Sequence, residues 1–274
     1  MLPSLSAARY VQPLREGGSL PAVVETEDGL FVVKFRGAGQ GRKALVAELI
    51  VGLLARAVGL PVPDLALVEI PPPFGRSEPD PEIQDVLRRS HGVNVGLRYL
   101  DGAFNFDGSA AAGLVTADFP SRLVWLDALV TNPDRTHRNP NLLIWEHRPW
   151  LIDHGAALYA HHDWPSVTAA SARTPFPLIR DHVLLERADA IATVDGEAAA
   201  ALHDGALEPI LDAVPDSLLM PASPGDPASP RVARERYRAW LGQRLASPRA
   251  FAAEAAAARM RALEHPRVAV GARR

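Results

Sequence analysis

Between Gly41 and Gly59 the chain reads GRKALVAELIVGLLARAVG, a run that is apolar on almost every face of a helix. Such a helix cannot lie on a surface, so sheet or further helices must wrap it. Gly59 and then Pro61 stop it. One acid, Glu48, sits in its middle, and a buried carboxylate needs a cationic or hydrogen-bonding partner. Fourteen residues upstream, GLFVVKF places Lys34 inside an apolar strand under the same obligation. Of 29 Lys and Arg residues only Lys34 and Lys43 are lysines. A lysine kept within an apolar strand of so arginine-rich a chain invites a specific role. The two charges are expected to answer each other. The bland alternative is an edge-strand lysine reaching water beside an unrelated glutamate.

Around that helix the first hundred residues read as strands. ARYVQPLR and PAVVETEDGLFVVKF are rich in β-branched and aromatic residues, with EDG as a hairpin turn. LALVEI and HGVNVGLRYL are further strands, and PPPFGRSEPDPEI between them reads as an irregular proline-rich loop. After DGAFNFDG the pattern turns helical. DFPSRLVWLDALV is a helix with Asp118 as N-cap, NLLIWEHRPWLIDHG is two short strands turning at EHRP, and helices dominate from about Pro177. The expected class is α+β: a β-rich N-terminal lobe with one main helix over residues 1–97, and a mostly helical C-terminal lobe over 98–274. PASPGDPASP, residues 221–230, reads as a linker within the second.

Composition bounds the partners. With 274 residues, 47% of them apolar, the chain can bury a substantial core. A net charge of −3 with interspersed signs argues for neither nucleic acid nor an anionic membrane as partner. No apolar run reaches 18 residues and the N-terminus lacks a signal layout, so a cytoplasmic protein is expected. The absence of cysteine removes disulfides, thiolate catalysis and cysteine metal sites together.

Chemistry concentrates in NPDRTHRNPN, residues 132–141, and in PWLIDHG a dozen residues on. Phosphoryl transfer needs a carboxylate to orient or deprotonate the attacking hydroxyl and hard oxygen ligands for Mg²⁺. Asp134 fits the first task; Asn139, five residues later, and Asp153, at the end of a strand, fit the second. Arg135 and Arg138 could neutralise phosphate or brace the loop. Read alone, NPD and NPN are ordinary turn sequences; their order with Lys34 upstream is what carries weight. Asp127 shares a helix face with Leu123 and Val124 and reads as a buried acid bracing the loop through backbone N–H groups. Two glycine clusters could cover phosphates. Gly17, Gly18 and Ser19 precede the strand pair that leads to Lys34 and are preferred. RGAGQGRK matches neither GxxxxGK[ST] nor GxGxxG and reads as a connector. His154, His161, His162 and Asp163 lack the helical spacing of a zinc site, and no serine sits in a G-x-S-x-G elbow.

Together GGSLPAVVETEDGLFVVKF, the Glu48 helix ending GLPVP, VGLRYLDGA, NPDRTHRNPN and WLIDHG resemble the HipA-like kinases, bacterial relatives within the wider group of phosphatidylinositol 3/4-kinases. The resemblance spans roughly residues 8–160. It implies a two-lobed protein kinase-like fold binding ATP and Mg²⁺, with a serine or threonine of a protein as the phosphate acceptor. Lys34, oriented by Glu48, would be the ATP-binding lysine and Asp134 the catalytic aspartate. Asn139 and Asp153 would bind metal. Gly96 to Gly102 would join the lobes, with Arg98 and Leu100 contacting adenine through the backbone. The chain departs from the pattern at His137, three rather than two residues after Asp134, and at IDHG, which lacks a phenylalanine. A kinase-fold nucleotide-binding scaffold and a small-molecule or lipid kinase are the alternative readings.

Overall fold

A computed structural model describes residues 2–14, 20–39, 41–76, 78–107, 113 and 118–265. Strands β1 (Ser4–Pro13), β2 (Ala22–Thr26), β3 (Gly29–Lys34), β4 (Leu65–Ile70) and β5 (Gly92–Arg98) close into a five-stranded barrel in the order β1-β2-β3-β5-β4. All pairs are antiparallel except β1 with β4, where Leu5 lies opposite Val68. Alternation sends Ala22, Val24, Phe31, Val33, Val68 and Ile70 into one buried cluster within the barrel. Gly96 lies opposite both Val33 and Ala66, and a Cβ there would come 2.8 Å from the Val68 side chain. The opposite face carries Lys34, its cross-strand partner Val95, and Leu97 with Leu65.

Against that second face lies α1 (Gly41–Ala57), buried along nearly its whole circumference as its composition demands. It packs on β5 and also on the C-terminal helices α3, α6 and α7, so its core is continuous with theirs. Leu60 N–H closes its end onto Ala55 O at 2.9 Å, with Gly59 at φ +78° in the left-handed turn.

One expectation fails here. The proline-rich stretch is irregular only in its first part, and α2 (Pro81–Arg89) begins within it. Asp80 caps this helix by accepting from Glu82 N–H at 3.0 Å, Pro81 opens it, and Ile83, Val86 and Leu87 join the barrel cluster.

Three short strands follow, β6 (Phe104–Asn105), β7 (Leu142–Trp145) and β8 (Arg148–Leu151), paired in that order as an antiparallel sheet. The turn between the last two holds Glu146 and His147 at φ +48° and +60°. Helix α3 (Asp118–Leu129) runs through the middle of the helical part, with the short α4 (Ala169–Ala172), then α5 (Ile191–Ala201), α6 (Asp204–Asp212), α7 (Asp216–Leu219), α8 (Pro230–Leu245) and α9 (Ala250–Glu264). Between Tyr159 and Arg187 the chain makes four 3₁₀ turns, so where helix is expected from about Pro177 regular α-helix begins only at Ile191. Residues 221–229 are irregular as expected yet tethered: Asp226 accepts from Ala222 and Ser223 N–H at 2.9 Å and pairs with Lys43 of α1 at 2.7 Å. The structure thus has a sheet-rich N-terminal part and a helical C-terminal part. Among the described residues no helix is long and apolar enough to cross a membrane.

Candidate active site

Lys34 is the last residue of β3 and is 7% exposed. Its ammonium meets Glu48 Oε2 at 2.7 Å and Asp153 Oδ1 at 2.5 Å. Glu48 is fully buried on α1, and the same oxygen accepts the backbone N–H of His154 at 2.8 Å. One carboxylate oxygen therefore joins the strand lysine to the backbone just after β8, drawing together segments more than a hundred residues apart. Burial pushes Lys34 towards neutrality, but the Glu48 and Asp153 carboxylates outweigh it and hold its pKa above the ordinary lysine value. Burial likewise raises Asp153, and Lys34 more than reverses that, leaving its carboxyl below the usual range. Lys34 and Asp153 thus hold each other in their charged forms at neutral pH.

The loop from Thr131 to Asn141 joins α3 to β7, and its shape is fixed from beneath. Arg244 of α8, 3% exposed, donates to Ala128 O at 2.7 Å and to Leu129 O, satisfying carbonyls that the end of α3 leaves open. Asn132 then makes an Asx turn, its Oδ1 accepting Asp134 N–H at 3.1 Å while its Nδ2 donates to Asp127 Oδ1 at 2.9 Å. Arg135 is 1% exposed. It donates to Asp127 Oδ2 at 2.6 Å, to Asn141 O, and at 3.4 Å to Pro140 O and Ile152 O, with His154 Nδ1 at 3.3 Å. Its fork is thus occupied in holding the loop to the β8 end, leaving phosphate to other cations. Asp127 braces the loop as expected, but through the side chains of Asn132, Arg135 and His182 rather than backbone N–H groups. Burial would raise its pKa; Arg135, then His182 and Asn132, drive it far below the usual carboxylate range.

Burial and the neighbouring Arg135 hold His154 neutral, with a pKa lowered to about 4 despite Glu48. Since arginine only donates, His154 Nδ1 accepts and the ring proton lies on Nε2. That atom and Glu48 Oε1 are buried and lack a hydrogen-bond partner among the described residues. Orphaned polar atoms of this kind are normally met by ordered water or ligand.

On this scaffold Asp134 is half-buried, and its Oδ2 accepts from Asn139 Nδ2 at 2.8 Å and from Asn141 Nδ2 at 3.1 Å. Asn141, which the sequence analysis does not single out, thus shares the Asp134 carboxylate with Asn139. Asn139 is exposed, whereas Asn141 is 8% exposed, holds φ +48°, and immediately precedes β7. Its carbonyl accepts Ile152 N–H at 3.1 Å, which sets it beside the residue preceding Asp153. The missed signal was NPNLLI, an asparagine abutting an apolar strand. Asp134 Oδ1, Asp153 Oδ2 and both asparagine amide oxygens have no hydrogen-bond partner among the described residues. Hard, mostly neutral oxygens with one or two carboxylates suit Mg²⁺, which keeps waters and takes phosphate oxygens for the rest of its shell. Among the described residues no cluster of three or more His, Cys, Asp or Glu is arranged to hold a metal by itself.

The remaining predicted residues divide. Arg98 N–H donates to Asp64 O at 2.7 Å, and its guanidinium pairs with Asp28 at 2.5 Å and lies over the Phe31 ring. The Arg98 N–H and side chain are therefore engaged within the protein. Leu100 is buried, and its N–H has no partner among the described residues. Gly17, Gly18 and Ser19 lie outside the described residues.

The sequence profile of HipA-like kinases matches residues 8–172, more than half of the chain. The chain belongs to the HipA-like kinase family. All of Lys34, Glu48, Asp134, Asn139, Asn141 and Asp153 fall within the matched region. A solved structure of the Helicobacter pylori proinflammatory kinase CtkA aligns with a TM-score of 0.53 over 96% of this chain and 99% of that one. At 12% identity, that likeness establishes a shared fold and nothing finer. No curated protein matches the chain in sequence.

Proposed function

We propose that the chain is an ATP- and Mg²⁺-dependent phosphotransferase acting on a serine or threonine hydroxyl of a protein. In this reading residues 1–97 form a nucleotide-binding lobe and residues 98–274 a catalytic lobe of a two-lobed kinase-like fold. The observation that carries it is Lys34 held at once by Glu48 at 2.7 Å and Asp153 at 2.5 Å. A structural ion pair would need one acid; a second, 39% exposed and with a free oxygen, supports a site built for a charged visitor.

Lys34, kept charged and aimed by Glu48, pairs with phosphate oxygens of ATP. Asp153 and the amide oxygen of Asn141 would hold Mg²⁺, which would neutralise charge on the phosphates. Asn139 steadies the Asp134 carboxylate from the solvent side. Asp134 uses its free Oδ1 to orient the acceptor hydroxyl and take up its proton as the new phosphoester forms. Leu100 N–H hydrogen-bonds adenine. Catalysis is then mainly positioning and electrostatic stabilisation, served by a loop whose buried supports are already in place.

The test is transfer from γ-labelled ATP to protein acceptors in cell lysate, with wild type and Asp134→Ala compared at equal ATP occupancy. Loss of a positioned base lowers turnover by roughly 10²–10⁴-fold. Retained ATP binding with transfer reduced to that degree supports the assignment. Equal transfer by both proteins would sink it, and ATP binding without transfer by the wild type would favour the scaffold reading.

A further inference from the structure

Beside the catalytic loop lies a groove of about 480 Å³ lined by Pro133, Thr136, His137, Arg138, Leu178 and Asp181. Pro133 and Thr136 bracket Asp134 in sequence, so one wall is the outer side of the loop that carries the proposed base. The other wall is the 3₁₀ turn Pro177–Asp181. The two walls are fastened together. Thr136 and His182 form an isolated β-bridge, Val183 N–H donates to Arg135 O at 3.1 Å, and His182 Nε2 lies 3.0 Å from Asp127 Oδ2. A groove bolted to the Asp127 network keeps its distance from Asp134 whatever enters it.

Its chemistry is selective. Leu178 is 48% exposed, an apolar side chain left facing the groove, and Pro133 offers a second apolar surface. Arg138 is exposed and makes no hydrogen bond or ion pair among the described residues, in contrast to the fully engaged Arg135. The acid in the lining, Asp181, has Arg180 Nε at 3.6 Å, which offsets its charge. His137 adds ring nitrogens next to Arg138. The balance is an uncompensated guanidinium beside an apolar shelf. The volume lies within the range of small ligand sites, enough for a few side chains and too small for a folded domain.

We propose that this groove docks the acceptor segment of a protein substrate, setting an acidic side chain against Arg138 and an apolar one against Leu178 and Pro133. The assignment rests on Asp134 being the residue that orients the acceptor hydroxyl. It adds a specificity: the phosphorylated serine or threonine has an aspartate or glutamate and a large apolar residue close by in sequence. A guanidinium offers a carboxylate two parallel hydrogen bonds, which gives the acid a preferred register along the groove.

The full chain is incubated with Mg²⁺, γ-labelled ATP and a serine/threonine peptide array in which each flanking position is scanned through all residue types. ATP hydrolysis and KM for ATP are measured in parallel. The wild type is expected to favour Asp or Glu at one flanking position and Leu, Ile or Phe at another. Arg138→Glu is expected to exchange the acidic preference for Lys or Arg and to raise KM for the acidic peptide about tenfold, while KM for a peptide with neutral flanks moves less than twofold. Leu178→Ser should weaken only the apolar preference. Both side chains are exposed, and matching melting curves would show that the variants fold. An unchanged peptide profile in Arg138→Glu would overturn the proposal. So would a raised KM for ATP, which assigns Arg138 to the nucleotide, or a wild type that hydrolyses ATP and phosphorylates only small-molecule or lipid acceptors. A chain that neither binds nor turns over MgATP would instead overturn the phosphotransferase reading on which this one rests.

Discussion

Asp127 touches no substrate in this account, yet its loss should be among the most damaging single changes in the chain. Its carboxylate and the Arg135 side chain are both 0% exposed and 2.6 Å apart. Asp127→Ala leaves a guanidinium buried without its counter-ion, a defect that costs about 3–5 kcal/mol. Asn132 and His182 lose an acceptor at the same time, but these losses belong to one network and do not simply add. For a domain of this size 1 kcal/mol moves Tm by about 2–4 °C, so a fall of about 6–20 °C is expected by calorimetry or dye-monitored melting. The double variant Asp127→Leu with Arg135→Met removes both charges and should regain much of that stability. It should not regain phosphate transfer, because Arg135 also fastens Asn141 O and Ile152 O, the second immediately before Asp153. If Asp127→Ala melts within about 2 °C of the wild type, the network is not what holds the loop. If the double variant transfers phosphate normally, the link from network to site is wrong.

Three further outcomes follow from the same geometry. Glu48→Gln keeps an acceptor for His154 N–H but removes one of the two charges on Lys34, so it should lower kcat/KM for ATP by roughly tenfold to a hundredfold. A change under twofold in steady-state kinetics would contradict its orienting role. Asn141→Ala should raise the Mg²⁺ concentration needed for half-maximal transfer more than Asn139→Ala does; the reverse order would return the metal to the exposed asparagine. The buried histidines should make the fold acid-sensitive. His154 and His161 are neutral in the folded chain, with pKa values lowered by burial to about 4 and about 3, against 6.5 when exposed. The unfolded chain then binds more protons below pH 6.5, so stability falls as pH drops from about 6.5 towards about 4. The slope is up to about 1.4 kcal/mol per pH unit for each ring. Denaturant midpoints between pH 7 and 4.5 test this, and a flat profile would refute it.

The ionic part of the site was legible because charge in apolar surroundings cannot go unpaired. Lys34 and Glu48 each sit in an apolar run, and the only economical solution is mutual. The Asp134 loop was legible from its polar contrast with α3 and β7. What escaped notice had no local signature or a masked one. Asn141 was hidden because a five-residue spacing from Asp134 drew attention to Asn139, while the contact of Asn141 with the same carboxylate follows from its place at the start of β7. Helix α2 was lost in a proline-rich context, although Asp80-Pro81 followed by Ile83, Val86 and Leu87 is a capped helix with one apolar face. The barrel closure by parallel pairing of β1 with β4, and the tether from Asp226 to Lys43, join residues whose neighbours carry no pattern that points to the partner. Arg135 stayed open between phosphate ligand and loop brace because sequence does not reveal whether a guanidinium is satisfied from within; the structure shows the brace.

The most direct measurement is calorimetric titration of ATP into the chain with and without Mg²⁺, for wild type and Asp153→Ala. The account predicts that Mg²⁺ tightens ATP binding at least tenfold in the wild type, and that Asp153→Ala, freed of one carboxylate on Lys34, still binds ATP but gains nothing from Mg²⁺. Wild-type affinity indifferent to Mg²⁺, or a full Mg²⁺ effect preserved without Asp153, would contradict it.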